Sequence, residues 1–358
     1  MKILYVVPNV NNEGGVARVL SIKANYLIEK LGFEVDIITQ NNGNAPLFYH
    51  FNDKITFHDI SLKGNLLLSL FSYKNQVKSI INKIKPSHII IADNGLKAFL
   101  WPFFLKKISN LYLEIHSSLQ IKESKNGNKW KHQFLVYIKK KLAQNYKTVL
   151  FETIENQLEW NCKNSLIIPN PLWFSANERS NVQSKKVIAV ARNTHEKGLD
   201  RLLYIWAEVV KKHPDWHLDI YGNTDKGVDL LDLAKKLQLN DQIAFHKPVK
   251  NIETKYLEAA VFALTSRFEA FGMVLIEAME SGLPCIAYDC PVGPRAIIQN
   301  DKNGFLIENG NETEYVLRFN ELIENYDLRK KMASNAAVSV KKYNINDVMI
   351  QWNAFFKR

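Results

Sequence analysis

The sequence predicts an α/β protein of two doubly wound domains, each a parallel sheet covered by helices, facing one another across a cleft. Three observations carry this. Its 358 residues exceed the usual span of one domain, and two halves of roughly 150–200 residues are each long enough to bury a core. Short β-rich runs alternate with stretches of helical apolar spacing, the pattern of parallel sheets with crossover helices. A single polar, proline-containing stretch interrupts the alternation, which then restarts.

In the first domain, residues 1–168, Lys2–Pro8 reads as a buried strand because its apolar residues run on without alternating. Val16–Leu31 has helical spacing and Glu34–Thr39 is the next strand; His88–Ala92, Leu111–Ile115 and Thr148–Phe151 follow, with helical segments between them. Pro169, Asn170 and Pro171 open the linker, residues 169–185. In the second domain, residues 186–342, strands are expected at Val187–Ala191, His217–Tyr221, Gln242–Phe245, Val261–Thr265 and Pro284–Ala287. Helices are expected at Leu199–Lys212, Val228–Leu237 and Gly272–Ser281. The tail, residues 343–358, is helical, and its amphipathic run Val348–Phe356 is expected to pack back toward the first domain.

Composition sets limits on function. The chain is 46% hydrophobic and 23% charged, which is ordinary for a globular protein. Cys162, Cys285 and Cys290 are too few and too scattered for a disulfide framework or a zinc site, and read as core residues of a reduced, cytoplasmic protein. The apolar start is too short for a signal peptide, and no run approaches the roughly 20 apolar residues of a membrane span. Of the net charge of +11, residues 1–168 carry most: 22 Lys and Arg against 12 Asp and Glu, leaving 25 against 24 for the rest. The basic first half suits an acidic partner, whether nucleic acid, anionic lipid or a phosphate-bearing substrate. No nucleic-acid recognition motif accompanies that charge.

The chemistry concentrates in Ser266–Ile298. Val261–Thr265 runs as a strand into Ser266-Arg-Phe-Glu269-Ala270-Phe271-Gly272, and a helix begins near Met273 and Val274 and carries Glu277. Strand, glycine turn and helix N-terminus together present free backbone N–H groups and the positive end of a dipole to an anion. Glu269 in the loop and Glu277 on the helix can each accept two hydroxyls of a sugar or ribose. A second element, Ala191-Arg192-Asn-Thr-His-Glu-Lys197-Gly198, again joins strand to helix, and its guanidinium and ammonium suit a diphosphate. Gly14 and Gly15 after the first strand allow close backbone approach to a ligand or serve only the turn.

Glu269, seven residues, then Glu277 resembles the E-x7-E motif of the retaining glycosyltransferases of family GT4, which have the GT-B fold of two Rossmann-like domains. Arg192 and Lys197 resemble that family's R-x4-K pair, Pro169-Asn170-Pro171 its interdomain N-P element, and Leu113-Glu-Ile-His116-Ser its strand-then-histidine element. Pro291–Ile298 with Asn303-Gly304 resembles its G-P-x-E-I-I and N-G elements. Two departures stand out: Ala296 where the family usually has glutamate, and Lys247-Pro248 in place of a glycine after Phe245-His246, in the loop that borders the nucleobase.

The resemblance implies roles. Glu277 binds the donor ribose, Glu269 holds donor sugar hydroxyls, and Arg192 and Lys197 neutralise the departing diphosphate. Backbone N–H groups of Phe271, Gly272 and Met273 complete the donor site together with Ala270 and Val274. Gly14 and Gly15 touch phosphate, and His116 lies near the transferred sugar. The sequence has no D-x-D pair, so no cofactor and no metal are expected. The implied activity is retaining transfer of a hexose or N-acetylhexosamine from a nucleotide sugar, UDP-linked above all. The donor binds the second domain; the acceptor, a glycan carried on lipid, meets the first, in capsule, O-antigen or lipooligosaccharide synthesis. The alternatives are a nucleotide-sugar epimerase or hydrolase on the same fold, and a non-catalytic glycan- or nucleotide-binding subunit.

Asn128–Gln144 has two readings. Trp130, Phe134, Tyr137, Ile138 and Leu142 fall at helical spacing among lysines. Either they form the core face of an ordinary helix, or the segment makes peripheral contact with an anionic membrane. Leu66–Phe71 and Phe99–Leu105 add apolar surface to that contact or are helix core. Tyr288, Asp289 and Arg295 are placed either in contact with the donor or in exposed-loop duty.

Overall fold

The computed structural model describes residues 1–40, 43, 45–62, 66–120, 129–223 and 227–358. It divides into two compact units, Met1–Pro171 with Asn346–Arg358, and Leu172–Ile345. Each is an α/β unit with a parallel sheet.

The first unit runs β1 (Lys2–Val6), α1 (Gly15–Glu29), β2 (Glu34–Gln40), β3 (Thr56–Ile60), α2 (Leu66–Ile84), β4 (His88–Ile91), α3 (Trp101–Phe104), β5 (Leu111–Glu114), α4 (Lys129–Ala143), β6 (Thr148–Phe151), α5 (Ile154–Trp160) and β7 (Ser165–Ile167). The sheet order is β3-β2-β1-β4-β5-β6-β7. Its central strands are covered on both faces, which is why they read as unbroken apolar runs; all four residues of β4 are buried. The edge strands β3 and β7 escape that reading: Thr-Phe-His-Asp-Ile is only partly covered, and Ser165–Ile167 has three half-buried residues. A strand paired on one side needs less apolar sequence.

On α1 the apolar face includes one cation. Lys23 is buried, pairs with Glu114 at the end of β5, and lies 4.3 Å from the ring centre of Trp352 in the C-terminal helix. That helix continues the unit: Phe355 meets Tyr112 edge-on at 4.7 Å and Phe356 meets His88 at 5.3 Å.

The core-face reading of Trp130, Phe134 and Tyr137 is corrected. On α4, Ala143 is buried and Val136 and Leu142 pack on the core, whereas Trp130, Phe134 and Tyr137 are 81%, 64% and 58% exposed. Helical spacing groups residues on a face without saying which face is inside. Asn128 and the side chains of Leu66–Leu68 and Lys129 lie outside the described residues. By contrast Phe99 and Trp101 of the Phe99–Leu105 cluster are buried, as helix core. Among the described residues no helix is long and apolar enough to cross a membrane.

The second unit runs β8 (Lys186–Val190), α6 (Leu199–Lys212), β9 (His217–Tyr221), α7 (Leu230–Lys236), β10 (Ile243–His246), α8 (Ile252–Leu257), β11 (Val261–Leu264), α9 (Met273–Glu280), β12 (Cys285–Asp289), α10 (Gly293–Ile297), β13 (Gly304–Glu308), α11 (Glu312–Glu324) and α12 (Tyr326–Ser339); α13 (Ile345–Phe356) ends the chain. The order β10-β9-β8-β11-β12-β13 reverses between β8 and β11. Neighbouring loops leave such a switch point in opposite directions, and ligands of open α/β sheets bind there, beyond the carboxyl ends of the strands. The loops after β8 and β11 are those that carry the motifs.

Candidate functional site

Two loops of the second unit are tied together by groups other than Arg192, Lys197, Glu269 and Glu277. Gly198, at φ +63°, starts α6 so close to β11 that an added Cβ would sit 2.2 Å from the Thr265 carbonyl oxygen. The Thr265 hydroxyl donates to the Gly198 carbonyl at 2.9 Å, and the Arg267 amide donates to the Glu196 carbonyl at 2.7 Å. Arg267 then forks onto Asp200 at 2.8 and 2.6 Å, in the first turn of α6. This lattice sets the loop of Arg192 and Lys197 against the loop of Glu269.

Inside it Lys197 Nζ donates to Glu269 Oε1 at 2.6 Å, and Ser266 Oγ donates to the same oxygen at 2.7 Å. The Glu269 carboxylate is buried while Lys197 is partly exposed, so the cation balances a charge that burial would otherwise disfavour. Arg192 is exposed just past β8. Glu269 also pairs through its backbone with Val292, whose φ of +83° is unusual for a β-branched residue. Beside the ion pair, burial first and Glu269 second push the Cys290 thiol up, so it stays protonated and offers no nucleophile.

α9 begins at Gly272, which takes φ +98°, a conformation open to glycine at little cost. Phe271 is buried edge-on against Tyr343 at 5.3 Å, fixing the turn, while Ala270, Met273 and Val274 are half-buried around the helix start. The first N–H groups of a helix have no partner within it and point outward from its positive end. One turn on, Glu277 is buried and held on both oxygens: Trp173 Nε1 donates to Oε1 at 2.9 Å and Tyr256 Oη to Oε2 at 3.1 Å.

Nearby loop residues take mostly local duties. Tyr288 is core, packed on Tyr315, and Arg295 forks onto Asp289 at 2.8 and 2.9 Å. At the ends of β9 and β10, Tyr221 and His246 stack at 4.4 Å, His246 shares a hydrogen bond with Asp219 at 2.9 Å, and the following Lys247 is exposed.

In the first unit Gly14 and Gly15 adjoin the start of α1. Neither has positive φ; an added Cβ at Gly14 would sit 2.5 Å from Asn12 Oδ1, whereas nothing lies within 4 Å of where a Gly15 Cβ would stand. His116, just beyond β5, has its ring between two carboxylates: Nδ1 lies 2.7 Å from Glu152 and Nε2 3.5 Å from Glu114. Burial by itself lowers the His116 pKa, but Glu114 and then Glu152 overcome this and raise it to about 9. Asn170 of the Pro-Asn-Pro element donates to the same Glu152 oxygen at 2.7 Å. Lys23, Glu114, His116 and Glu152 thus form a buried cluster of two cations and two anions, and the ring is no proton acceptor at neutral pH.

Sequence reasoning missed Trp173, Tyr256, Ser266, Asp200 and Arg267, and in the first unit Glu152 and Lys23. Only Ser266 and Arg267, within three residues of Glu269, and Asp200, three residues after Lys197, had a local signal. The others come from distant positions and lack any motif.

Residues 174–338 match the family model for glycosyl transferases group 1. An uncharacterised glycosyltransferase of Haemophilus influenzae is 27% identical over 358 residues, covering 98% of each chain. The amylovoran biosynthesis glycosyltransferase AmsD of Erwinia amylovora is 29% identical over 364 residues, again covering 98% of each. Among solved structures, HepE of Anabaena in complex with UDP-glucose superposes with a TM-score of 0.80 at 18% identity, over 100% of this chain and 99% of that one. The fold is the GT-B fold, and the family match with the two full-length relatives supports a glycosyltransferase of the GT-B superfamily.

Proposed function

We propose that the protein is a retaining glycosyltransferase that moves a hexose or N-acetylhexosamine from a UDP-sugar to a lipid-linked glycan during surface polysaccharide synthesis, at the inner face of the cell membrane. The observation that carries the reading is the contact of Lys197, Glu269 and Ser266 beside the N-terminus of α9. A cation, a buried carboxylate and helix N–H groups lie together there, and that combination supports a sugar diphosphate as ligand. The HepE complex with UDP-glucose and the polysaccharide role in AmsD's name support donor and acceptor class.

In this reading Glu277 accepts the ribose hydroxyls, and the N–H groups of Phe271, Gly272 and Met273 take phosphate oxygens. Glu269 accepts sugar hydroxyls. An ammonium has three N–H donors, so Lys197 bridges Glu269 and the diphosphate, with Arg192 as the second cation. The bond from the anomeric carbon to the diphosphate oxygen breaks with its electron pair leaving on that oxygen. The acceptor hydroxyl oxygen bonds to the anomeric carbon on the same face and passes its proton to the departing diphosphate. Charge grows on the diphosphate along this path, so the two cations and the helix dipole stabilise the transition state more than the ground state. No metal is invoked. In the first unit Gly14 and Gly15 approach phosphate. His116 stands near the transferred sugar as a cation neutralised by Glu114 and Glu152, adding no net charge against an oxocarbenium-like centre.

The test is turnover of a UDP-sugar with a lipid-linked acceptor by Lys197→Ala and Glu277→Ala proteins of native thermal stability. Both are expected to lose transfer, and near-normal turnover of both sinks the site assignment. Donor consumed equally fast without acceptor replaces transfer by the epimerase or hydrolase reading.

A further inference from the structure

Three segments of the first unit are basic and carry no acidic residue of their own. Residues 66–84, 96–110 and 129–143 contain eleven lysines and no Asp, Glu or Arg. These segments pack on one another, and one of the lysines, Lys97, also faces Asp93 at 3.6 Å. Lys74 on α2 lies 5.1 Å from the ring centre of Phe104 on α3, and Tyr73 meets Trp101 edge-on at 5.7 Å. α4 packs against residues 96–100, where Lys139 lies 5.9 Å from the Phe99 ring centre.

Out of this basic ground rise aromatic side chains. Trp130, Phe134 and Tyr137 stand at i, i+4 and i+7 on the exposed face of α4, and Phe71 and Phe103 are exposed on α2 and α3. Buried aromatic area is the largest apolar gain a side chain offers, and a stripe of three left in water at helical spacing marks a surface that is covered in use. Lysines flank the stripe: Lys131 and Lys141 are exposed, and long lysine stems lie along apolar surface while their ammonium groups reach a charged layer.

We infer that this α2–α3–α4 surface docks on an anionic lipid bilayer, with Trp130, Phe134 and Tyr137 entering the headgroup boundary and the lysines meeting lipid phosphates. Charge complementarity selects the partner class, and the side-chain types select lipid within it. Trp and Tyr favour the membrane interface, and lysine-rich segments are attracted by anionic leaflets. Nucleic-acid surfaces favour arginine for its fork and stacking, and these elements have none. The inference extends the reading above, which puts the acceptor on lipid, and it rests on separate residues.

The full-length protein is to be sedimented with vesicles of phosphatidylglycerol and phosphatidylethanolamine in equal parts, and with vesicles of phosphatidylcholine alone. Binding to the first, weakening with added salt and lost on the second, is expected. Trp130→Ser/Phe134→Ser/Tyr137→Ser is expected to reduce vesicle affinity by roughly tenfold or more, with unchanged melting temperature and unchanged stabilisation by UDP. Trp130→Phe should keep binding but remove most of the vesicle-induced blue shift of tryptophan fluorescence. Equal binding to both vesicle types, no binding to either, or full binding by the triple variant overturns the inference. Tight binding to single-stranded DNA without vesicle binding overturns it in favour of nucleic acid. Glu277→Ala protein should bind vesicles normally, so failure of the donor site and failure of this surface are read separately.

Discussion

The indole nitrogen of Trp173 donates a hydrogen bond of 2.9 Å to Oε1 of Glu277, across 104 residues of sequence. Tyr256 holds the other oxygen, so the plane of a buried carboxylate is set before any ligand arrives. Preset geometry spares a bound nucleotide the cost of ordering the side chain. Trp173→Phe keeps the bulk and removes the donor; UDP affinity should fall about tenfold, the value of one hydrogen bond to a charged group. Titration calorimetry with UDP and with 2′-deoxy-UDP checks this. The variant should discriminate less between the two, whereas a merely structural role weakens both alike.

The Lys197–Glu269 contact makes a second prediction. Removing a cation aimed at developing charge lowers turnover by roughly 10²–10³-fold, and Lys197→Ala is expected in that range. Ser266→Ala, which removes the weaker of two donors to Glu269, should cost about tenfold or less. Steady-state kinetics on both variants and on the double variant should show strong non-additivity, because the residues share one carboxylate oxygen.

Gly198 is expected to tolerate no side chain. Its φ of +63° and the Thr265 carbonyl 2.2 Å from an added Cβ mean that Gly198→Ala strains the backbone or separates α6 from β11. A loss of about 2 kcal/mol or more in stability is expected, along with a loss of turnover from displacement of Lys197. Urea unfolding of the variant measures the first effect.

His116 gives the fold a pH dependence. Its pKa is about 9 when folded against an ordinary 6.5, so the folded state binds the proton more tightly. The stabilisation is fully present below pH 6.5 and disappears as pH rises through about 9. Glu114 acts in the opposite sense: its folded pKa is lowered to about 2, burial opposing and Lys23 and His116 prevailing. Its contribution is present above about pH 4.5 and lost as pH falls toward 2. Melting temperature from pH 6 to 10 should fall more steeply for the native protein than for His116→Gln. Parallel curves would refute the charged cluster.

Chelation bears on the charge-neutralising role proposed for Arg192 and Lys197. Turnover in excess EDTA is expected to match turnover with added magnesium or manganese. A loss in EDTA restored by one of those metals would count against the proposal that the cations alone neutralise the departing diphosphate.

Local sequence determined a good deal. Unbroken apolar runs located the central strands, since a sheet covered on both faces demands them, and the repeated strand-helix rhythm gave two parallel sheets. The elements that carry Glu269, Glu277, Arg192 and Lys197 were legible because a strand, a turn and a helix start are local events with local spacing. Edge strands β3 and β7 were not legible, because one-sided pairing asks little of their residues. Only the tertiary structure decided that Lys197 and Ser266 converge on one oxygen of Glu269, that Trp173 and Tyr256 fix Glu277, and that Glu114 and Glu152 grip His116 from both sides. It also decided that Trp130, Phe134 and Tyr137 face water. Periodicity states which residues share a face. Which face is buried, and which distant side chain completes a carboxylate's hydrogen bonds, follows from how the chain packs, because those partners are neighbours only in space.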